Sequence, residues 1–230
     1  MEKIIHLSEV DSTNEYLKRN IAHFDNGTLV WADKQTKGKG SNDRSFASPV
    51  GGVYMSFLLA ENGLLPYVTP VAAVAVRRAL VSVFHVTPTI KWVNDLFLSG
   101  KKICGILCEK TSSSVIVGIG VNLAPPESGF PEEIKEIAGT VCHTYPPVAV
   151  RETFVKRCYD EFFSLFSADR IPSGMNEYAV NSCVVGKDVA VVRGEETVRG
   201  KAVRIESDGS LSIETEKGVV TVHSGSLTLC

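Results

Sequence analysis

Apolar residues along this chain recur at two periods, and the places where the period changes divide it into elements. Residues 3–7 and 28–32 are short apolar runs that predict strands. Between them, Asp11-Ser12-Thr13-Asn14-Glu15 opens a helix. Ser12 with Glu15 three residues on is a capping box, and Tyr16 and Leu17 begin the apolar side. After Thr69-Pro70, a cap and first-turn pair, Ala72, Ala75, Val76, Ala79, Leu80 and Val83 share one face at helical spacing and leave Arg77 and Arg78 off it. Such a helix must pack on a sheet. Residues 151–166 repeat the spacing with Val155, Cys158, Tyr159, Phe162, Phe163 and Phe166, an aromatic stripe that reads as core. From Asp95 to Asn122 the pattern turns to strands: Leu96-Phe97-Leu98, a Ser99-Gly100 turn, then residues 103–108 and 115–121, a β-meander. Residues 124–140 are polar and rich in Pro, Gly and Glu, and predict a surface loop with a short helix over 131–138. Beyond Asn181 the helical signal stops. Residues 184–192, 198–205, 211–213 and 219–222 are short strands parted by Arg193-Gly194, Ser207-Asp208-Gly209 and Lys217-Gly218, which predict a small closed barrel. The chain is therefore α+β, with a larger domain over 1–180 and a smaller one over 181–230.

Composition narrows the classes. With 230 residues and 44% hydrophobic content the chain buries a real core. Its 24 Lys+Arg against 26 Asp+Glu give no global basic field that would argue for nucleic acid or an anionic membrane. The start, Met1-Glu2-Lys3-Ile4-Ile5-His6, lacks the basic and long apolar regions of a secretory signal. The longest apolar stretch, 71–84, is broken by Arg77-Arg78 and reads as too short to span a bilayer. The six cysteines are scattered, and Cys104 and Cys108 lack the spacing of a zinc site. They read as reduced, mostly buried thiols of a cytoplasmic protein. The five histidines form no cluster.

Three segments carry candidate chemistry. Thr89-Ile90-Lys91-Trp92-Val93-Asn94-Asp95 places a cation, an amide and a carboxylate at a strand end. Lys91 can neutralise charge on a phosphate, while Asn94 and Asp95 can hold a nucleotide or its Mg²⁺ through oxygen ligands. The plain alternative is a soluble turn. The second segment is the loop 35–46, in which Gly38 and Gly40, spaced by a lysine, let the backbone approach a ligand; Lys37, Lys39 and Arg44 add positive potential. Its spacing is neither the phosphate-loop nor the dinucleotide fingerprint. The third is the helix start at Ser12, whose free N–H groups lie beside the hydroxyls of Ser12 and Thr13 and the amide of Asn14, groups able to read the polar head of a small ligand.

In this order the segments resemble the biotin protein ligases. Ser12-Thr13-Asn14 is similar to the family's S-T-N element, and residues 35–46 resemble its Q-x-x-G-R-G-R-x-G-R-x-[WF] loop. Lys91 to Asp95 is similar to K-W-P-N-D, residues 100–109 to G-x-K-[LI]-x-G-I-L-x-E, and Gly118-Ile119-Gly120-Val121-Asn122 to G-I-G-[IV]-N. The resemblance covers nearly the whole chain. It departs at Val93, where the family usually has proline, and in the loop: Lys39 replaces an arginine and loses its bidentate fork, Ser41 and Asn42 occupy the positions that usually read R-x or R-R, and Asp43 stands where glycine is common.

The resemblance implies a mixed β-sheet catalytic domain flanked by helices, a C-terminal SH3-like β-barrel, and an enzyme that makes biotinyl-5′-AMP from biotin and ATP with Mg²⁺. Biotin then passes to one lysine of a biotin carboxyl carrier domain. It implies that Lys91 is catalytic and that Ser12, Thr13, Asn14, Gln35, Lys39, Gly40, Ser41 and Lys91 hold biotin. Gly38, Arg44, Trp92, Asn94, Asp95 and Asn122 would hold the nucleotide, with Asp95 toward the metal. The loop after Asn122 would fold over the adenylate and exclude water. Because the first strand begins by residue 3, no DNA-binding domain is expected ahead of it, and no membrane partner either. Family members are monomers or dimers, and no sequence stripe decides for or against a homodimer. Two other readings stand beside this one. A lipoate-type ligase shares the fold, but the S-T-N element and the small barrel favour biotin; a non-catalytic biotin or adenylate binder is motivated by the altered loop and opposed by Lys91.

Overall fold

The computed structural model describes residues 3–41 and 44–230. The loop changes at Asn42 and Asp43 lie outside the described residues. Seven strands form the main sheet: β1 (Ile4–Leu7), β2 (Leu29–Ala32), β3 (Gly52–Ala60), β4 (Thr89–Lys91), β5 (Asp95–Leu98), β6 (Lys101–Lys110) and β7 (Ser114–Asn122). Their order is β1-β2-β3-β7-β6-β5-β4, and only β1 and β2 pair in parallel. The meander read between Asp95 and Asn122 is β5-β6-β7.

Alternation along the central strands separates two faces. Val53, Met55, Phe57 and Leu59 of β3, with Val115, Val117, Ile119 and Val121 of β7, face the main core under α2 (Val68–Phe84) and α3 (Val148–Leu165). The other face carries α1 (Thr13–Arg19), whose Leu17 is fully buried with Val30, Leu58 and Ile116. Burying a side chain of that size is worth about 1.5–3 kcal/mol, enough to hold a helix of only seven residues. Around that helix the second face stays partly open, and there the functional cavity lies.

Several boundaries differ from the pattern's expectation. The helix expected from Thr69-Pro70 begins at Val68 behind Tyr67, without a side-chain cap, and the one expected from Arg151 begins at Val148 directly after Pro147. With the 3-10 turn before it, α2 makes a span Leu65–Phe84 of 20 residues, long and apolar enough by length and composition to cross a bilayer, where the sequence stretch reads as too short. Val71, Ala72, Val74, Ala75, Ala79 and Leu80 of this helix are buried in the core. A fourth helix, α4 (Ile171–Val180), has no clear signature in the sequence pattern because Pro172 and Gly174 mask its period. No helix forms over 131–138: Ile134 N and Lys135 N both donate to Pro131 O at 3.0 Å, so the segment is a run of turns.

The C-terminal module is antiparallel, in the order β11-β10-β9-β8-β12, built from β8 (Asp188–Arg193), β9 (Glu196–Ile205), β10 (Leu211–Thr215), β11 (Gly218–Val222) and β12 (Ser226–Leu229). The last strand was not foreseen in the sequence. Val189, Val191, Ala202, Leu211, Ile213 and Val222 fill it and run on into the main core. All six cysteines are free.

Candidate functional site

The floor of the cavity is made of glycine. On the α1 face of the central strands, Gly105 pairs with Gly120 and Leu107 with Gly118. A Cβ on Gly120 would stand 2.6 Å from the Phe46 ring and one on Gly105 3.0 Å from it, so the ring lies flat on bare backbone. A Cβ on Gly118 would overlap the Asn14 amide. Glycines inside strand patterns mark such close approach. Together with the turns over 131–138 and the 35–46 loop, these positions enclose about 560 Å³.

One end of the cavity is a ring of satisfied polar groups at the start of α1. Ser12 caps the helix, its Oγ 3.5 Å from Glu15 N, but Glu15 does not close the expected capping box. Its carboxylate binds Lys39 at 2.6 Å and Lys18 at 2.9 Å, and these two cations hold it below the usual carboxylate range. Gln35 Oε1 accepts from Thr13 N at 2.8 Å and Thr13 Oγ1 at 3.1 Å, while its Nε2 donates to Ser48 Oγ at 2.9 Å. Ser56 Oγ, fully buried, lies 2.7 Å from Thr13 Oγ1 and 2.5 Å from Asn14 Oδ1. Asn14 Nδ2 donates to Glu109 Oε2 at 2.6 Å, and Lys18 binds the other Glu109 oxygen at 2.7 Å. A network so fully paired fixes each rotamer and gives the small ring its shape.

The other end carries charge. Leu96 pairs with Cys104 and Phe97 with Lys102, so Ile103 is an extra residue, a β-bulge. Strict alternation puts Lys102 on the core face with Cys104. The bulge instead sends Ile103 into the core and turns Lys102 to the cavity, beside Asp95, with Nζ 2.7 Å from Oδ1. Its ammonium also lies 5.9 Å from the Phe46 ring centroid. Asn94 Nδ2 donates to Ile106 O at 2.7 Å and to Ser41 Oγ at 3.1 Å, which ties the 35–46 loop to β6. Arg44 Nε donates to Ser41 O at 3.0 Å. Asn122, buried at the end of β7, completes the wall.

Most of the sequence candidates therefore converge. Ser12, Thr13, Asn14, Gln35, Lys39, Gly40, Ser41, Arg44, Asn94, Asp95 and Asn122 all line the cavity. Three do not. Lys91 shares Asp95's face but sits on the outermost strand, where its ammonium lies 5.3 Å from the Phe97 ring centroid and does not line the cavity. Trp92 is buried, and its Nε1 donates to Gly209 O at 2.9 Å, which makes it a bolt between the main sheet and the C-terminal module. Gly38 packs inside the loop against its far end, where a Cβ would strike Phe46 O and Ser48 Oγ. Lys102 and Phe46 line the cavity, and Ser56 and Glu109 hold Thr13 and Asn14, which do; none of the four was singled out in the sequence, although Lys102 and Glu109 stand in the 100–109 motif and Phe46 ends the 35–46 loop. For Phe46 the signal was present in Gly105 and Gly120, strand glycines that ask for a partner.

Comparison with known proteins agrees with this arrangement. Residues 7–124 match the Biotin/lipoate A/B protein ligase family and residues 184–227 the Biotin protein ligase C terminal domain. The chain is 31% identical over 235 residues to the Bifunctional ligase/repressor BirA of Bacillus subtilis, covering 97% of this chain and 72% of that protein. With the Biotin--[acetyl-CoA-carboxylase] ligase of Mycobacterium tuberculosis it shares 25% identity, over 95% of this chain and 86% of that one. Among solved structures, the biotin protein ligase from Aquifex aeolicus in complex with biotin and ATP matches with a TM-score of 0.87 and 32% identity, covering 100% of this chain and 99% of that one.

Proposed function

The chain belongs to the biotin protein ligase family, and we propose from the geometry how its cavity carries out ATP-dependent biotinylation. The single observation that carries the reading is the Lys102 ammonium, turned by a bulge into a cavity whose far end is a preformed ring of hydrogen-bonding groups. Biotin's ureido head lies among Ser12, Thr13, Asn14 and Gln35, and its carboxylate points toward Lys102. In the first step that carboxylate attacks the α-phosphate of ATP and pyrophosphate leaves. Two anions meet, and charge grows on phosphorus; a fixed ammonium in a half-closed cavity offsets it without reorganising. In the second step the ε-amine of a carrier-domain lysine attacks the acyl carbonyl and AMP leaves, a step that positioning alone accelerates because the mixed anhydride is already reactive.

Asn94, Arg44 and Asn122 line the nucleotide end in this reading, and Lys39, Gly40 and Ser41 lie along the adenylate. Mg²⁺ is commonly held by one or two carboxylates together with substrate phosphates. Asp95 provides one carboxylate on the cavity wall, so the residues fit the ion, which when bound would neutralise phosphate charge. Asp95 also fixes Lys102. The division at 180/181 agrees with the range of the C-terminal family domain, and six free thiols suit a reducing cytoplasm.

The test incubates the protein with labelled ATP and either biotin or lipoate. Pyrophosphate release with biotin and none with lipoate is expected; release with lipoate alone overturns the assignment.

A further inference from the structure

The ladder between β6 and β7 runs only as far as the pair Cys104 and Val121. The first residues of β6 therefore present open N–H and C=O groups on that side, and a strand edge inside a fold must find other partners. It finds them in the segment that follows the turns over 131–138. Lys102 N donates to Ile137 O at 2.7 Å and Gly139 N donates to Lys102 O at 2.8 Å, around a parallel bridge from Lys102 to Ala138. The segment continues to the opposite wall, where Val141 N donates to Asn122 O at 3.1 Å and Cys142 N to Leu123 O at 2.6 Å. One short stretch thus grips the backbone of both Lys102 and Asn122. Immediately upstream, Phe130, Pro131, Glu133, Ile134 and Ile137 form a wall of the cavity.

Gly139 permits this pairing. A Cβ there would stand 2.6 Å from Lys101 Cβ, closer than non-bonded carbons come, while its next neighbour, Ile103 Cγ2, would be at an ordinary 3.4 Å. Lys101 itself is exposed and points away from the cavity lining.

We propose that Gly139 is a positioning residue for Lys102, so that seating the wall over 130–138 and aiming the ammonium are one event. The same two backbone bonds do both. When the wall closes over a nucleotide, its stem completes the sheet beside Lys102 and fixes the bulge that turns the side chain inward. When the wall lifts, the strand loses both partners and the cation loses its aim. Attack on phosphate is thereby confined to the closed cavity, from which water is excluded. This rests on the reading of Lys102 as the phosphate-facing cation.

The test uses Gly139→Ala, Lys101→Gly and the double variant, with pyrophosphate release and biotin titration calorimetry as readouts. A misplacement of about 1 Å costs up to roughly 10²-fold in rate, so Gly139→Ala should lower kcat on the order of 10- to 100-fold with biotin affinity unchanged. Lys101→Gly removes the atom that the new Cβ strikes. It should be near the parent alone and should restore the double variant. Parent-like turnover in Gly139→Ala, failure of the rescue, or loss of biotin binding with turnover would each overturn the proposal. Hydrogen exchange in the parent gives an independent check: the Lys102 amide should exchange more slowly with biotin and ATP bound, and equal rates would count against the coupling. Running Lys102→Met in parallel separates the two ideas. Parent-like turnover there defeats the functional reading, whereas an inactive Lys102→Met beside an unaffected Gly139→Ala defeats this inference alone.

Discussion

Lys102 and Asp95 stand on adjacent strands with Nζ 2.7 Å from Oδ1, both only partly exposed on the cavity wall. Each holds the other in a rotamer that a ligand can meet. The ion pair keeps the ammonium on the cavity wall rather than in open solvent.

Lys102→Met should lower pyrophosphate release on the order of 10²–10³-fold, the usual loss when one preorganised charge is removed. Lys91→Met should stay near the parent rate, because Lys91 rests against Phe97 at the sheet edge. Measuring both by the same coupled assay decides between them. The opposite ranking would return the catalytic role to Lys91.

Gly118→Ala should weaken biotin binding. The new Cβ overlaps the Asn14 amide and displaces it from Glu109, its charged partner at 2.6 Å. Hydrogen bonds to charged groups contribute roughly 1.5–3 kcal/mol, which corresponds to about 10- to 100-fold in affinity. Calorimetry with biotin alone reads this directly, and an unchanged affinity would remove Asn14 from the biotin site.

Trp92→Phe keeps the apolar ring and deletes the donor to Gly209 O, leaving a buried carbonyl unpaired. The cost is about 1–3 kcal/mol, or a fall in Tm of roughly 2–10 °C for a chain of this size. Adenylation at 25 °C should persist. A variant that melts with the parent would show that the bolt between sheet and C-terminal module carries no load.

The Arg19 guanidinium, 2.6 Å from Asp11, holds that carboxyl down at about 2 against an ordinary 3.8. A folded-state pKa lowered in this way contributes stability that is present above about pH 4 and is lost as pH falls toward 2. The pair is exposed, so the effect is small. Melting curves of the parent and Asp11→Asn should differ at pH 6 and converge near pH 2. A constant difference across that range would contradict the linkage.

Local chemistry made much of this protein legible. Ser12 caps α1 because a hydroxyl before an apolar run satisfies a free N–H, whatever lies elsewhere. The stripe from Val155 to Phe166 had to be buried, whereas the central strand β3 gave no expectation in the sequence, because its residues from Gly52 to Leu59 are buried on both faces and carry no clean alternation. That Ser12, Gln35, Asn94 and Asn122 belong together followed from the resemblance to the family's motifs rather than from the pattern of strands. Which lysine faces the cavity did not follow. Lys91 and Lys102 are both lysines at strand ends, and period-2 alternation puts Lys102 on the core side with Cys104. The extra residue at Ile103 reverses that assignment, and a bulge is visible only once β5 and β6 are paired. The partner of Trp92 is hidden for the same reason: its place in a motif says nothing of Gly209, 117 residues away, to which its N–H donates. Patterns of neighbours along the chain decide which elements form. Which side chain meets a ligand depends on register between strands, and register is settled by tertiary packing.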